Sequence, residues 1–211
     1  MKIRRAVFVS RGKWGPPLLR WLKKQSCEIA YSDTENRPIE TFPDYDLGIA
    51  FLYGHRIPLS EFDGRKRWVN FHSGPLPEFR GANLAYHAIM QRATHFGASI
   101  HYMDLNFDTG DLIEVQRFKI KPNYTAGDLV QRSHRLLLRL FRKYIPALLE
   151  GSVPSTPQSN GRYYRKSKLP TYVELTSDQE LLVRALTVHP IFYARVMVEG
   201  RSYVILPEAK E

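Results

Sequence analysis

The sequence is poor in cysteine and has no long apolar run and no internal repeat. Cys27 is the only cysteine, which excludes an intrachain disulfide and a multi-cysteine metal site and fits a reducing cytoplasm, where we expect the protein to act. No window reaches the ~20 apolar residues that span a bilayer, and the first apolar run is too brief for a signal peptide. We therefore expect no membrane partner. His-Glu-x-x-His is also absent, so we expect no bound metal.

Negative charge is scarce relative to positive charge. The 211 residues carry a formal charge of +10, and the pI is about 9.7. This balance suits a phosphate-rich partner, which could be RNA, a nucleotide or a membrane surface. Because no basic segment interleaved with aromatic residues is present, most of these charges are expected to be solvated surface, and a nucleic-acid partner is not favoured.

Apolar runs alternate with helical patterns along residues 1–150. A first strand ends at Ser10, LGIAF has the composition of a strand buried on both faces, and a helix begins near Asn83. Thr125 and Asp128 form a capping-box pattern ahead of a long helix that could bend or end near Pro146. The order predicts an α/β domain with a Rossmann-like open sheet.

The composition changes after Gly151, where Pro, Ser, Gly and basic residues predominate. Residues 151–211 are therefore predicted to be a small extension that consists of a connector, a short helix and a C-terminal β-hairpin. Ser177 and Glu180 predict the start of the helix, and Glu199-Gly200 the turn of the hairpin. Since an isolated hairpin is marginally stable, we expect residues 191–207 to form a homodimer contact.

Polar side chains stand where one predicted strand ends. Asn70 and His72 are two residues apart, so they share a face of an extended segment, and Pro75 and Pro77 stiffen the chain beyond them. The later segment HYMDLNFDTGD supplies His101 on a strand and Asp108 on a tight turn. Asparagine, histidine and aspartate together suit the attack of an amine on a carbonyl group.

These motifs resemble the formyltransferases that use 10-formyltetrahydrofolate. The resemblance covers residues 45 to 120 and rests on Asn-x-His, Leu76-Pro77, Arg80-Gly81, Met103-Asp104 and Asp-Thr-Gly-Asp at 108–111. It implies the formyltransferase fold and a one-carbon transferase with 10-formyltetrahydrofolate as the donor. It assigns catalysis to Asn70, His72 and Asp108.

The resemblance also predicts the residues that bind the donor, whereas the acceptor residues are predicted from a loop that precedes a helix and from proximity to the motifs. The pterin of the donor is expected against residues 52–57 and against the turn at residues 108–111, which we call the aspartate turn. The acceptor phosphate is expected against the loop before the first helix. The donor set is Leu52, Tyr53, His55, Arg56, Ile57, Thr109, Gly110 and Asp111. The acceptor set is Ser10, Arg11, Gly12, Lys13, Arg80, Asn83, Tyr86 and His87.

Three acceptors compete within the family. Glycinamide ribonucleotide is disfavoured because SRGKWG replaces the Gly-Ser-Asn phosphate loop, and methionyl-tRNA because only about sixty residues follow Gly151. The C-terminal sequence is most similar to the branch that formylates nucleotide-linked amino sugars, such as GDP-perosamine or dTDP-4-amino-4,6-dideoxy sugars, for surface polysaccharides including O-antigen. A binding module for folate or nucleic acid that lacks catalysis is the candidate from a different class.

Overall fold

The computed structural model describes residues 2–62, 64, 66–151, 153–170, 172–173, 179–188, 194–198 and 200–205. The strands are β1 (Arg5–Ser10), β2 (Glu28–Asp33), β3 (Leu47–Phe51), β4 (Arg67–His72), β5 (Arg80–Gly81), β6 (His95–Tyr102), β7 (Leu112–Lys119), β8 (Tyr163–Tyr164), β9 (Tyr172–Val173), β10 (Arg195–Val198) and β11 (Arg201–Val204). The helices are α1 (Gly15–Leu22), α2 (Leu84–Met90), α3 (Ala126–Glu150) and α4 (Gln179–Leu186), with one 3₁₀ turn at Leu59–Glu61.

The main sheet has six strands in the order β2-β1-β3-β4-β6-β7. The first four in this order run parallel, whereas β6 is antiparallel to β4, and β7 to β6. The chain passes from β1 to β2 on one side and from β3 to β4 on the other side. These connections diverge, and in such sheets a crevice forms beyond the carboxyl ends of the two central strands, here β1 and β3. The predicted α/β architecture is confirmed, with the refinement that the sheet is mixed.

Phe141 lies at the centre of the core between the sheet and the helices α1 and α3. Its ring makes edge-to-face or tilted contacts with the rings of Phe8, Trp21, Phe51 and Phe71 at centroid distances of 5.0 to 6.1 Å. These contacts join α1 and α3 to strands β1, β3 and β4 on one face of the sheet. The strand ends that carry the candidate site are therefore held by a continuous apolar core.

The capping box at α3 is confirmed. Thr125 Oγ1 accepts from the Asp128 N–H (3.2 Å), and the Asp128 carboxylate accepts from the Thr125 N–H (2.9 Å). The helix then continues through Pro146 to Glu150, so it does not end at the proline. The predicted hairpin is also observed, with β10 antiparallel to β11, but Ser177 and Glu199 lie outside the described residues.

Two neighbouring segments carry a positive charge equal to the net charge of the chain. Residues 11–27 and 129–149 hold ten of the 31 Lys and Arg residues and no acidic residue, and the other 21 basic residues equal the 21 Asp and Glu residues in number. The two segments include α1 and most of α3, which touch through Trp21 and Phe141. We call this surface the basic helical face. Among the described helices, none is long and apolar enough to cross a membrane.

Candidate active site

Strand β4 presents Asn70 and His72 at its carboxyl end. Phe71, between them, is fully buried and packs on Phe141, so the alternation of a strand directs Asn70 and His72 to the opposite face. Strand β6 runs alongside, and its register sets His101 directly across from Asn70. This pairing brings three of the predicted polar side chains to one place.

Asp108 completes the cluster from the turn between β6 and β7. Its Oδ1 lies 3.5 Å from His72 Nδ1 and 3.7 Å from His101 Nε2, and its Oδ2 accepts from the Gly81 N–H at 2.8 Å. Asp108 adopts φ +57°, a conformation that aspartate tolerates better than most residues. The turn thus aims the carboxylate back at the strand ends.

The hydrogen bonds of His72 fix which ring nitrogen is free. Its Nε2–H donates to the carbonyl oxygen of Phe79 at 2.8 Å, and a carbonyl can only accept. In the neutral ring the lone pair is therefore on Nδ1, the nitrogen that faces Asp108. The Asp108 carboxylate faces this lone pair, so it is placed to stabilise a positive charge that develops on His72 during a reaction.

His101 and Asn70 support the same carboxylate. The Nδ1–H of His101 donates to the Tyr102 carbonyl at 2.6 Å, which leaves Nε2 to accept from the Asn70 amide at 3.2 Å. The other amide hydrogen of Asn70 points to Asp108 Oδ1 at 3.4 Å. Both amide donors are engaged, and the contact with Asp108 is the longer and weaker of the two.

The pKa of Asp108 lies well below its usual range. Burial by itself would raise this pKa, but the positive charge of the neighbouring imidazoles of His72 and His101 when protonated, together with the Gly81 N–H, outweighs it. The carboxylate is therefore ionised throughout the physiological pH range. It can stabilise a protonated imidazole but cannot donate a proton itself.

The segment from Leu52 to Ile57 follows β3 at the crevice. Leu52 has φ +55°, an unusual conformation for a bulky side chain and one that is concentrated at ligand sites. Tyr53 and His55 tie the segment to the loop after β2 through the carbonyls of Arg37 (2.6 Å) and Asn36 (2.8 Å). Burial is the main cause that raises the pKa of Tyr53 to about 12.

Arg56 links this segment to the aspartate turn. Its guanidinium donates to the Leu105 carbonyl at 3.2 Å and lies 5.3 Å from the centre of the Phe107 ring. Ile57, next in the chain, is buried in the apolar cluster on the face of the sheet opposite to Phe141. The two parts predicted to bind the donor are therefore neighbours in space.

The aspartate turn is braced from inside. Thr109 Oγ1 donates to both carboxylate oxygens of Asp104 (2.6 and 2.8 Å), and a Cβ atom at Gly110 would lie 2.1 Å from the Tyr102 carbonyl oxygen. Asp111 is exposed, and its carboxylate accepts a long hydrogen bond from the Ser155 hydroxyl at 3.4 Å. Thr109 and Gly110 therefore shape the turn, whereas Asp111 faces outward.

The loop after β1 carries two cationic side chains at the start of α1. Ser10 is fully buried, and its Oγ has no hydrogen-bond partner in the part of the chain that the structure describes. Arg11 and Lys13 are exposed, and Gly12 takes φ +76° between them. Burial, then the charges of Arg11 and Lys13, lower the pKa of His134 on α3 to about 4, which places His134 beside this loop.

Arg80 and Asn83, predicted to line the acceptor, bind the connector that follows α3. Arg80 Nη2 donates to Gln158 Oε1 (3.0 Å) and to the Ser159 carbonyl (2.9 Å), and Asn83 donates to the Ser167 carbonyl (3.0 Å). Strands β5 and β8 pair in parallel at the same place. These strands are too short for the sequence to predict their pairing.

Tyr86 and His87 lie on the first turns of α2, near the same connector. The His87 ring stacks on Tyr164 at a centroid distance of 4.4 Å, and burial and then the charge of Arg162 lower its pKa. Its Nε2 is buried without a hydrogen-bond partner among the described residues. Tyr86 packs against the His87 ring at 5.2 Å.

A cofactor of the folate type needs no metal ligand from the protein. Within the described ranges, no group of three His, Cys, Asp or Glu side chains is placed to hold a metal ion. The crevice instead offers strained backbone at Leu52, hydrogen-bonding groups of the turn and an ionised carboxylate. These groups suit a planar heterocycle and a reacting amine.

The comparison with protein families gives the class. Residues 53–143 match the family described as formyl transferase. This range contains the Asn70, His72 and Asp108 cluster, so the chain carries a formyl transferase domain, and the resemblance inferred from the motifs is confirmed.

Sequence relatives and solved structures extend this result. A methionyl-tRNA formyltransferase of Leifsonia xyli is 34% identical over 116 residues, which is 54% of this chain and 38% of that protein. The chain spans 37% to 59% of the length of eight methionyl-tRNA formyltransferases that it matches.

Two solved structures share the fold over nearly the whole chain. A 4-N formyltransferase from Francisella tularensis has a TM-score of 0.78 at 18% identity and 98% coverage of both chains. An N-formyltransferase from Helicobacter canadensis, in complex with folinic acid and dTDP-3-aminofucose, has a TM-score of 0.71 at 15% identity, covering 93% of this chain and 85% of that one. The predicted formyltransferase fold is confirmed.

The pKa of Asp108 gives a test by acid titration. Asp108→Asn removes the charge and keeps a side chain that tolerates φ > 0. Because the folded protein lowers the pKa, the carboxylate stabilises the fold above about pH 4, and this contribution is lost as the pH falls through the folded value. The gap in free energy of unfolding between wild type and variant should shrink from about pH 6 to about pH 3 in urea titrations. Exposed Asp44→Asn is the control, and a gap for Asp108→Asn that is constant with pH would contradict the assignment.

Proposed function

We propose that this protein is an enzyme that transfers the formyl group of 10-formyltetrahydrofolate to the amine of a nucleotide-linked amino sugar. The observation that carries the proposal is the cluster of Asn70, His72 and Asp108 inside a formyl transferase domain. A fold neighbour from Anoxybacillus kamchatkensis is in complex with a UDP-linked formamido sugar and tetrahydrofolate, with a TM-score of 0.63. The ligands bound to this neighbour and to the Helicobacter enzyme support the choice of donor and acceptor.

In the proposed reaction the neutral amine attacks the formyl carbon. A carbon–nitrogen bond forms, the bond from the formyl carbon to N10 of the folate breaks, and the amine proton passes to His72 Nδ1. The adjacent Asp108 carboxylate stabilises the imidazolium. The proton then moves to N10, so the products are the N-formyl sugar and tetrahydrofolate.

Asn70 is proposed to stabilise the oxyanion. Its amide hydrogen toward Asp108 is held at 3.4 Å, and a formyl oxygen can replace this weak contact while His101 keeps the other hydrogen. A neutral donor aimed at developing charge typically contributes about 100- to 1000-fold to turnover. The amide thus switches partner during the reaction without changing charge.

The donor is proposed to lie between Leu52 to Ile57 and the turn of Thr109, Gly110 and Asp111. The two segments are neighbours in space, since Arg56 of the first donates to the Leu105 carbonyl just before the turn. Backbone donors and acceptors suit the edge of a pterin ring. Asp111 then acts at the outer rim because it is exposed.

The acceptor phosphates are proposed to bind at Ser10 to Lys13. The Ser10 hydroxyl without a partner among the described residues, the amino terminus of α1 and the cations Arg11 and Lys13 converge there, and each favours an anion. Arg80, Asn83, Tyr86 and His87 would support the sugar side. Of these, His87 has the buried Nε2 that lacks a partner among the described residues.

Methionyl-tRNA is the second candidate acceptor. The sequence relatives at 26% to 34% identity are methionyl-tRNA formyltransferases, which favours it. The fold neighbours favour a sugar, because they match nearly the full length of the chain. Glycinamide ribonucleotide as acceptor and a folate- or nucleic-acid-binding module without catalysis are the third and fourth candidates, and turnover measured with each acceptor separates all four.

The setting of the enzyme is also part of the proposal. We propose action in the cytoplasm on precursors of a surface polysaccharide, with residues 1–150 as the catalytic domain and residues 151–211 as an extension. The hairpin carries Met197 and Val204 with exposed fractions of 43% and 45%. Exposed apolar side chains on a short hairpin support a homodimer contact.

His72→Ala should abolish turnover. Loss of a general base typically costs about 100- to 10000-fold, and tetrahydrofolate release can be followed with GDP-, dTDP- and UDP-linked amino sugars, glycinamide ribonucleotide and methionyl-tRNA. Exposed His95→Ala is the matched control and should keep wild-type rates. Turnover with a different acceptor would reassign the substrate, and salt-sensitive RNA binding without turnover that ignores the His72 change would favour the binding module.

Arg11→Ala and Lys13→Ala should weaken binding of the acceptor. Because these cations are proposed to contact phosphate in ground and transition states alike, each variant should raise KM for the acceptor about 10-fold and leave kcat within about 2-fold. Steady-state kinetics with the acceptor varied at saturating donor measures this. Lys119→Ala, an exposed lysine on β7, is the control, and an unchanged KM would move the phosphate site elsewhere.

Wild-type protein should sediment as a dimer. Met197→Lys with Val204→Lys places charge on the exposed hairpin and should shift sedimentation velocity to the monomer. Lys119→Glu serves as a surface control. A wild-type monomer at all accessible concentrations would rule out the hairpin contact.

A further inference from the structure

The connector after α3 includes Gly161 and Tyr164. Its backbone is in direct contact with the backbone of the segment that follows β4. A Cβ atom at Gly161 would lie 1.8 Å from the Pro77 carbonyl oxygen, and one at Gly81 would lie 2.1 Å from the Tyr164 carbonyl oxygen. Parallel pairing of β5 with β8 adds main-chain hydrogen bonds, including Ala82 N–H to the Tyr164 carbonyl at 2.9 Å. The connector is therefore part of the support of the site.

Gln158 is a connector side chain that binds the main chain of the aspartate turn. Its Nε2 donates to the carbonyl oxygens of Asp108 (3.1 Å) and Gly110 (2.5 Å). Its Oε1 accepts from Arg80 Nη2 at 3.0 Å. The amide thus uses both hydrogens on the turn and its oxygen on Arg80.

This arrangement holds the Asp108 carboxylate from two directions. Gln158 fixes the main chain of the turn at Asp108 itself and two residues beyond. Arg80 anchors Gln158, and the neighbouring Gly81 N–H binds Asp108 Oδ2 at 2.8 Å. Asp108 has a positive φ, a conformation that persists only where its surroundings hold it. The 3.5 Å separation between Asp108 and His72 Nδ1 depends on these restraints.

Only a side chain with a donor can make these contacts. Two carbonyl oxygens face Nε2, so a carboxylate in its place would meet two acceptors and be repelled. A glutamate would nevertheless keep the contact with Arg80, with added charge attraction. Glutamine at position 158 is therefore specified by the turn and not by Arg80.

We propose that Gln158 is a positioning residue for Asp108, and that the connector is thereby required for the acid–base chemistry of the site. The inference rests on the proposed formyl transfer for its kinetic consequence. Its structural part, the geometry between Asp108 and His72, is independent of the substrate.

The test compares Gln158→Glu and Gln158→Met in the full chain. Glutamate keeps the size and the Arg80 contact, and methionine keeps the length without any hydrogen bond or charge. Displacement of a group that orients a catalytic side chain costs about 10- to 100-fold. Both variants should lose about this factor in kcat and keep KM for the acceptor within about 2-fold. Gln131→Glu, an exposed position on α3, is the matched control for the added charge.

A second measurement does not depend on turnover. In protein labelled with ¹⁵N-histidine, the ring nitrogens of His72 and His101 should change their chemical shifts in both variants, whereas those of exposed His95 should not. Melting temperatures establish that the variants are folded. Restraint of Asp108 by Gln158 requires these changes to appear together with the loss of kcat.

The outcomes separate the two proposals. Unchanged kcat with unchanged histidine spectra overturns the role of Gln158, and so does a rise in KM alone, which would make Gln158 a direct substrate contact. Absence of turnover in the wild type with every acceptor overturns the proposed function, and the histidine spectra then decide the role of Gln158 by themselves.

Discussion

The Asp108 carboxylate is the point at which the strands, the aspartate turn and the connector meet. One buried anion faces His72, His101 and the Asn70 amide and accepts from the Gly81 N–H. A buried charge is stable only when such partners surround it. Every segment that supplies a partner is therefore constrained in position, and the left-handed backbone of the turn is a cost that this set of contacts offsets.

The shared placement of Asn70 and His72 could be predicted from sequence because it follows from strand geometry. Asn70 and His72 alternate with a buried Phe71 on one short strand, and the capping pattern of Thr125 and Asp128 marked the start of α3 in the same local way. Such signals lie within a few residues of one another. They predict the folded structure correctly because their interpretation does not require knowledge of distant contacts.

The roles of Arg80, Asn83 and Gln158 could not be predicted in this way. Arg80 and Gln158 are 78 residues apart in the chain and meet only because β5 pairs with β8, two strands of two residues each. A two-residue strand has no periodicity to detect. Proximity to a motif suggested that Arg80 and Asn83 face a substrate, which stays a prediction, and the structure shows that both residues bind the connector.

The basic helical face sets a limit on how this protein can associate with itself. Ten cations and no acidic residue lie in its two segments, so two copies that approached through it would bring like charges together, although Lys143 is paired with Glu114 of β7. Salt screens such repulsion only beyond about 8 Å at physiological ionic strength. Contacts between copies are therefore directed to other surfaces, and the face remains open to counterions from the solvent.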